Sequence, residues 1–144
     1  MPSEAEAHGR SLSPHLSVKG GNQALEFYQK AFGAMVTGKV TAEDGNRVLH
    51  ASLRINGALV YLCDEFPEFG AGATPSPSTL GGTSVALHLN YPTAEEADST
   101  FKRAVDAGAE PLMPMSDAEW GARYGRIRDP FGHVWSLGGP LMDS

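Results

Sequence analysis

An internal repeat constrains the fold more than any other feature, because the first half of the 144-residue chain matches the second half. Shifts of 73 and 75 positions bring residues of the same class together. The matched pairs are His15 with His88, Leu16 with Leu89, Ala24 with Ala97, Tyr28 with Phe101, Lys30 with Arg103, Gly33 with Gly108, Gly57 with Gly132 and Leu62 with Leu137. Because the shift changes by only two positions over a whole half, the sequence predicts two copies of one supersecondary unit.

The first copy has the pattern strand, helix, strand, strand, strand. Leu16 and Val18 alternate with polar neighbours, which is the period of a half-buried strand. Asn22 is predicted to cap a helix that ends before Gly33, and apolar residues recur between them at helical spacing. The dipeptide 56–57, Asn-Gly, lies between two apolar runs and predicts a tight hairpin.

The second copy repeats this pattern. Thr93 and Glu96 form a capping box at the start of its helix. Asp129 is predicted to fix the turn before the last strand, and Trp135 on that strand is predicted to pack against a helix.

These patterns divide one domain into four segments. We predict a mobile tail over 1–12, a first unit over 13–63, a linker loop over 64–82 and a second unit over 83–141. The linker is rich in Gly, Pro and Ser, as connecting segments are.

Composition excludes several classes of protein. The chain has 17 acidic and 11 basic residues, a formal net charge of −6, so no nucleic-acid partner is expected. This charge mildly favours cationic ligands. No apolar run approaches the ~20 residues of a membrane span, so no membrane partner is expected. The single cysteine, Cys63, forms no internal disulfide, and with the absence of a signal sequence it favours the cytoplasm.

The predicted units also suggest where a ligand would bind. In each unit one helix covers one face of a four-stranded sheet and leaves the other face bare. A second unit, related by a pseudo-twofold axis, can enclose that face, and the space between curved sheets is a natural ligand cavity. The sequence therefore predicts an α+β fold of two βαβββ units with curved mixed sheets around a cavity. The bare face and the long linker also predict a homodimer.

Six segments carry a resemblance to a known family. They are 24–34, 48–57, 80–84, 104–109, 120–125 and 129–135. In these segments the chain resembles the vicinal-oxygen-chelate superfamily of glyoxalases, bleomycin-resistance proteins and dioxygenases, and its PhnB-like branch in particular. The resemblance implies paired βαβββ modules and, in most members, a dimer.

It also implies a divalent metal in some members, held by His, Gln or Glu on the first strand of each unit and a carboxylate on the last. The last-strand positions here hold Tyr61 and Ser136. The first-strand positions fall near Ser13 and Ala86, or Ser84 if the register slips by two. None of these is a good ligand for a divalent metal. The usual metal site is therefore predicted to be absent, and no cofactor is expected.

Three histidines provide an alternative. His15 and His88 occupy equivalent places in the two units, and His50 shares a polar strand face with Ser52 and Arg54. Three imidazoles in one cavity would bind Zn²⁺ or Fe²⁺. In the competing interpretation, which we favour, these side chains hydrogen-bond a ligand, water or each other.

Candidate ligand-binding residues follow from the same strand faces and from a Gly-punctuated segment before the last hairpin. They are His15, Ser17, His50, Ser52, Arg54, Tyr61, His88, Trp120 and Arg123. The candidates for catalysis are His15, His88 and Tyr61, whereas Cys63 is interpreted as a packing thiol.

Two hypotheses about function result. The favoured one is a metal-free protein that sequesters a drug or metabolite, a small-molecule binder of the bleomycin-resistance type. The alternative is an enzyme, a lyase, isomerase, hydrolase or dioxygenase, that uses relocated histidine ligands or acid–base chemistry of His and Tyr.

Overall fold

The computed structural model describes residues 9–141 and contains the two predicted units in sequence. The first unit consists of β1 (His15–Val18), α1 (Gly21–Phe32), β2 (Met35–Thr41), β3 (Val48–Ile55) and β4 (Ala58–Asp64). The linker forms a 3₁₀ segment (Pro67–Gly72) and the short helix α2 (Pro77–Leu80). The second unit consists of β5 (Ala86–Asn90), α3 (Ala94–Asp106), β6 (Glu110–Asp117), β7 (Ala122–Arg128) and β8 (Val134–Pro140). The predicted tail 1–12 lies outside the described residues up to position 8.

Each unit forms one four-stranded mixed sheet, which confirms the predicted fold class. The strand orders are β1-β4-β3-β2 and β5-β8-β7-β6. In each sheet the first strand runs parallel to the last strand of its unit, and the other pairings are antiparallel. His15 stands opposite Tyr61, and His88 stands opposite Ser136. The two units therefore match in register as well as in element order.

The start of α1 differs from the prediction. The helix begins at Gly21, and the capping position is Gly20, at φ 94°, instead of Asn22. The cap is supplied by Asp64, at the end of β4, whose Oδ1 accepts from the backbone N–H groups of Gly20 (2.8 Å) and Gly21 (2.9 Å). Its Oδ2 accepts from the N–H of Val48 at 2.7 Å. A side chain that is distant in sequence thus performs the task that local signals assigned to Asn22.

Other local signals are confirmed. The Thr93 hydroxyl accepts from the N–H of Glu96 at 3.1 Å and caps α3. Gly33 ends α1 in the left-handed conformation, at φ 66°. Asn56 and Gly57 both have positive φ angles, 51° and 79°, as a two-residue hairpin requires.

One apolar core joins the two units. Tyr28 and Phe32 of α1 contact the ring of Trp135 in β8, with centroids 5.5 and 4.9 Å apart. The buried carboxylate of Asp129 accepts from the Tyr28 hydroxyl at 2.5 Å and from Trp135 Nε1 at 2.8 Å. It also accepts from the backbone N–H groups of Phe131 and His133, so it fixes the predicted turn. Asp129 therefore holds α1 of the first unit against the last strand of the second.

Within residues 9–141, no helix combines the length and the hydropathy that crossing a bilayer requires.

Candidate functional site

The polar face of the first sheet brings three predicted residues together. Leu16 and Val18 face the core, so the alternation of β1 turns His15 and Ser17 to the other face. The rings of His15 and His50 lie 6.3 Å apart, those of His15 and Tyr61 5.9 Å, and those of His50 and Tyr61 5.2 Å. We refer to His15, His50 and Tyr61 as the first cluster.

The surroundings of the first cluster favour neutral imidazole. Burial lowers the pKa of His15, and the neighbouring His50 lowers it further. No ion pair between these histidines and a carboxylate occurs within 9–141. A neutral imidazole offers one hydrogen-bond donor and one acceptor.

Hydroxyl and thiol groups continue this face. Ser52 shares a hydrogen bond of 3.0 Å with Thr37, and Ser17 lies 3.9 Å from the Cys63 sulfur. Burial raises the pKa of the Cys63 thiol, which therefore stays protonated near neutral pH. These groups lie on the same face as the first cluster and hydrogen-bond with one another.

Arg54 lies farther along the same strand, near the hairpin. Its Nη1 donates to the carbonyl oxygen of Gly57 at 3.1 Å. Part of the Arg54 guanidinium is thus hydrogen-bonded to the backbone of its own hairpin.

A cavity of about 670 Å³ lies beside His15 of the first cluster. It lies between β1 and the start of β5, and the linker loop forms one of its walls. His15 and Ser17 line it from the first unit, and Leu87 and His133 from the second. His133 Nε2 donates to the carbonyl oxygen of Ser17 at 2.9 Å and so holds the turn before β8 against β1, which places the His133 ring on the cavity lining.

A smaller cavity of about 220 Å³ adjoins it, since His15 and Ser17 line both. Phe66 and Phe69 form an aromatic wall there, with their rings stacked at 4.9 Å. This wall comes from the linker, so the predicted loop takes part in building the site.

The second sheet carries an equivalent cluster of different chemistry. His88 Nδ1 lies 2.7 Å from Ser136 Oγ, and the His88 ring stacks on Tyr124 at 5.9 Å. Arg126 Nε donates to the Tyr124 hydroxyl at 3.0 Å. Burial raises the pKa of the Tyr124 phenol, but the hydrogen bonds from Arg126 and Ser136 outweigh burial and leave that pKa below its ordinary value. We refer to His88, Ser136, Tyr124 and Arg126 as the second cluster.

The two remaining candidates lie near the second cluster in different settings. Trp120 is 70% exposed and its ring meets Tyr124 edge to face at 5.4 Å. The guanidinium of Arg123 is held by Asp98 of α3 at 2.9 Å and by Asp117 at 3.0 Å. Trp120 is thus available to a ligand, whereas the charge of Arg123 is compensated within the protein.

The structure does not bring His15 and His88 into contact within one chain. They lie on different sheets and line different cavities, and His88 belongs to one of about 350 Å³ with Trp120 and Tyr124. In the part of the chain that the structure describes, no ring contact links the two clusters. The expectation that both imidazoles share one space inside a single chain is therefore not met.

The strand register tests whether the metal site implied by the family resemblance fits. Ala86 pairs with Val134, so the first-strand residue beside Ser136 is His88, and the one beside Tyr61 is His15. The paired positions thus offer imidazole with phenol and imidazole with hydroxyl, without a carboxylate. Among residues 9–141, no group of three or more His, Cys, Asp or Glu is arranged to hold a metal ion. The residues do not fit a divalent metal of that kind.

Neither Arg126 nor Tyr124 was among the residues predicted from the sequence to bind a ligand. A signal was available, because a shift of 74 positions places Arg126 on Ser52 and Tyr124 on His50. His50 and Ser52 were already candidates. Applying the internal repeat to the third strand of each unit would therefore have identified Tyr124 and Arg126.

Comparisons with known proteins agree with this architecture. The profile of the Glyoxalase/Bleomycin resistance protein/Dioxygenase superfamily matches residues 12–137. An uncharacterized protein of Mycobacterium bovis is 46% identical over 133 residues, which cover 92% of this chain and 85% of that protein. The PhnB protein of Bacillus cereus has a similar structure, with a TM-score of 0.68, 21% identity, and coverage of 92% of this chain and 100% of that one.

A glyoxalase-related enzyme of Fulvimarina pelagi is similar in the same way, with a TM-score of 0.72 and 20% identity. The alignment covers 93% of this chain and 88% of that one. At such identities the structures show a shared fold alone. With two βαβββ units, matching registers and a profile that spans most of the sequence, the chain belongs to the Glyoxalase/Bleomycin resistance protein/Dioxygenase superfamily.

Proposed function

We propose that this protein is a metal-free small-molecule-binding protein, which holds a drug or metabolite against the polar faces of its sheets. The observation that carries the proposal is the first cluster, three rings within 6.3 Å of one another, of which His15 lines a cavity of about 670 Å³. Cavities of this size with few polar groups on an apolar lining are typical of ligand sites.

The first cluster favours a particular kind of ligand group. Neutral His15 donates and accepts one hydrogen bond, the His50 ring nitrogens add further hydrogen-bonding groups, and the Tyr61 hydroxyl both donates and accepts. This set suits a carbonyl, phenol or amide. Among residues 9–141, no carboxylate pairs with these imidazoles, which supports binding through hydrogen bonds in preference to metal coordination.

The proposal includes a homodimer. Leu80 and Val85 beside the large cavity are 65% and 63% exposed, and Trp120 beside the second cluster is 70% exposed. Apolar side chains gathered around polar sites are typical of surfaces that a partner covers. A second copy that sets its second cluster against the first cluster would enclose both in one cavity.

The test combines metal analysis with ligand screening. The untagged protein is purified without chelator, its metal content is measured by elemental analysis, and a small-molecule library is screened by thermal shift with and without EDTA. We expect substoichiometric metal and ligand-induced stabilisation that EDTA does not change. One divalent ion per chain, whose removal abolishes binding, would contradict the proposal.

An acid–base enzyme is the second candidate, and one observation favours it. The 2.7 Å hydrogen bond to Ser136 orients His88 through Nδ1 and leaves Nε2 of an exposed ring free to exchange protons. Mass spectrometry of each screening hit after incubation tests this role. Conversion of a hit that disappears in His88→Gln would support the enzyme, and intact hits would support the binder.

A further inference from the structure

Arg126 differs from Arg47, Arg123 and Arg128 in what surrounds its charge. Arg47 pairs with Asp44 and Glu68, Arg123 with Asp98 and Asp117, and Arg128 with Glu110. Arg126 has no ion pair with any carboxylate among residues 9–141. Its interactions are a single hydrogen bond from Nε to the Tyr124 hydroxyl and a guanidinium position 6.0 Å from the centre of the Tyr124 ring.

The contacts with Tyr124 hold the Arg126 guanidinium in place and leave its two terminal nitrogens available to donate. The Nε bond and the ring contact fix the direction of the group, while Nη1 and Nη2 have no acceptor in the described part of the chain. The side chain is half-buried, so its charge is partly removed from water without compensation by the protein. A half-buried guanidinium with available Nη donors has the geometry and the charge to bind an anionic oxygen group.

The neighbouring groups extend the site. Arg126 stands opposite Ser136 in the register of β7 and β8, and Ser136 binds His88. Gly138, the next residue of β8 on this face, leaves room for the His88 ring, because a Cβ atom there would lie 3.1 Å from His88 Cε1. Arg126 and His88 thus flank one strand position on a face open to a ligand.

We propose that Arg126 and His88 form a subsite for an anionic oxygen group, such as a carboxylate or a phosphonate, of the bound small molecule. This inference rests on the proposed binding function and names the class of ligand. A guanidinium presents two parallel N–H donors to such a group, and charge-assisted bonds of this kind are among the strongest in proteins. The net charge of −6 suggested a cationic ligand, but the charge at the site has the opposite sign.

The equivalent position in the first unit holds Ser52, whose hydroxyl already bonds Thr37. At this position, within residues 9–141, the second face therefore carries a guanidinium that has no ion pair, whereas the first face carries a neutral hydroxyl. A ligand with an acid at one end and a neutral polar group at the other would place the acid on the second cluster.

Three probes that share a benzene ring test the subsite: benzoate, phenylphosphonate and benzamide. Binding is measured by isothermal titration calorimetry, and the Arg126 Nε–Hε resonance is followed by NMR. We expect benzoate or phenylphosphonate to bind at least tenfold more tightly than benzamide and to shift the Arg126 resonance. The tighter of the two acids identifies which anion the subsite prefers.

Three variants distinguish binding at this subsite from a general effect of positive charge on the strand. Arg126→Gln is expected to remove the tenfold preference for acids, so that benzoate and phenylphosphonate bind no more tightly than benzamide. Arg128→Gln is the matched control, because it removes the same charge from the same face of the same strand but breaks an ion pair with Glu110. Arg126→Lys, which keeps the charge but loses the two parallel donors, is expected to retain part of the preference.

The outcomes are distinguishable. Equal binding of acids and amide, or equal losses in the Arg126→Gln and Arg128→Gln variants, would overturn the subsite and leave the binding function standing. If the library screen and all three probes fail to bind up to tens of millimolar, both the subsite and the proposed function are overturned.

Discussion

The polar faces of the two sheets occupy the same scaffold positions and carry different chemistry. The equivalent positions are His15 and His88, His50 and Tyr124, Ser52 and Arg126, and Tyr61 and Ser136. The first cluster is a set of aromatic hydrogen-bond donors and acceptors, whereas the second contains a guanidinium that has no ion pair within residues 9–141.

The difference shows which part of a repeated unit is free to change. Both units keep the register of the first strand against the last, because a slip by one residue would turn the core side chains outward. Polar-face residues have no such constraint. Of the four equivalent positions, only the first-strand position holds the same residue on both faces. Under the proposed function, the two faces would therefore bind different chemical groups of a ligand.

The largest expected effect comes from breaking the connection between the units. Asp129→Ala leaves the Tyr28 hydroxyl, Trp135 Nε1 and two backbone N–H groups without their buried acceptor. We expect a loss of roughly 3–5 kcal/mol in the free energy of unfolding, measured with urea. Asp117→Ala, at an exposed ion pair, is the control and should cost less than about 1 kcal/mol. Equal effects would mean that Asp129 does not join the units.

A smaller effect is expected from exchanging Cys63 and Gly138, which are equivalent positions beside the two histidines. A Cβ atom at position 138 would lie 3.0 Å from the Arg123 carbonyl oxygen and 3.1 Å from the His88 ring. Gly138→Cys is therefore expected to cost roughly 2–3 kcal/mol of stability and to displace His88 from Ser136. The His88 Hε1 resonance reports the displacement. Cys63→Gly should leave the first cluster in place. Equal losses of stability in the two variants would contradict the predicted difference between the two faces.

The histidines at the paired positions sharpen the comparison of the two faces. His15→Ala or His88→Ala is expected to weaken binding of a screened ligand by about 1–3 kcal/mol, the range for a lost buried hydrogen bond. Circular dichroism and urea unfolding should show an intact fold. If both variants bind as tightly as the parent, the histidines are structural.

The smallest effect concerns pH. Because burial and His50 lower the pKa of His15 below 6.5 in the folded chain, the unfolded chain binds that proton more readily. The contribution of His15 to stability is therefore complete above about pH 6.5 and declines as the pH falls toward the folded-state pKa. An NMR titration of His15 should show a midpoint below 6.5, and His50→Gln should raise it partway. A midpoint at or above 6.5 would contradict this environment for the first cluster.

Sequence reasoning predicted the fold well because its signals are local and repeated. The hairpin at 56–57, the cap at Thr93 and the stop at Gly33 all depend on a few neighbouring residues. The cap of α1 was missed because the Asp64 carboxylate that provides it comes from the end of β4.

The candidate site was predicted less completely. Period-2 alternation identified the residues of the first cluster, since it gives the face of a strand. The alternation does not show which residues contact each other across strands. The ion pairs of Arg123 and the available donors of Arg126 therefore could not be predicted from the sequence. The same holds for the separation of His15 from His88, which depends on how the two sheets are placed.

The bond between Tyr28 and Asp129 joins residues 101 positions apart, and this distance determines when the first unit can finish folding. During synthesis, α1 emerges from the ribosome long before the residues that complete its aromatic packing. The Tyr28 hydroxyl of α1 cannot reach its acceptor, the Asp129 carboxylate, until nearly the whole chain has been translated. The first half should therefore remain loosely packed on the ribosome, and the native state should form in one late, cooperative step typical of folds with many long-range contacts.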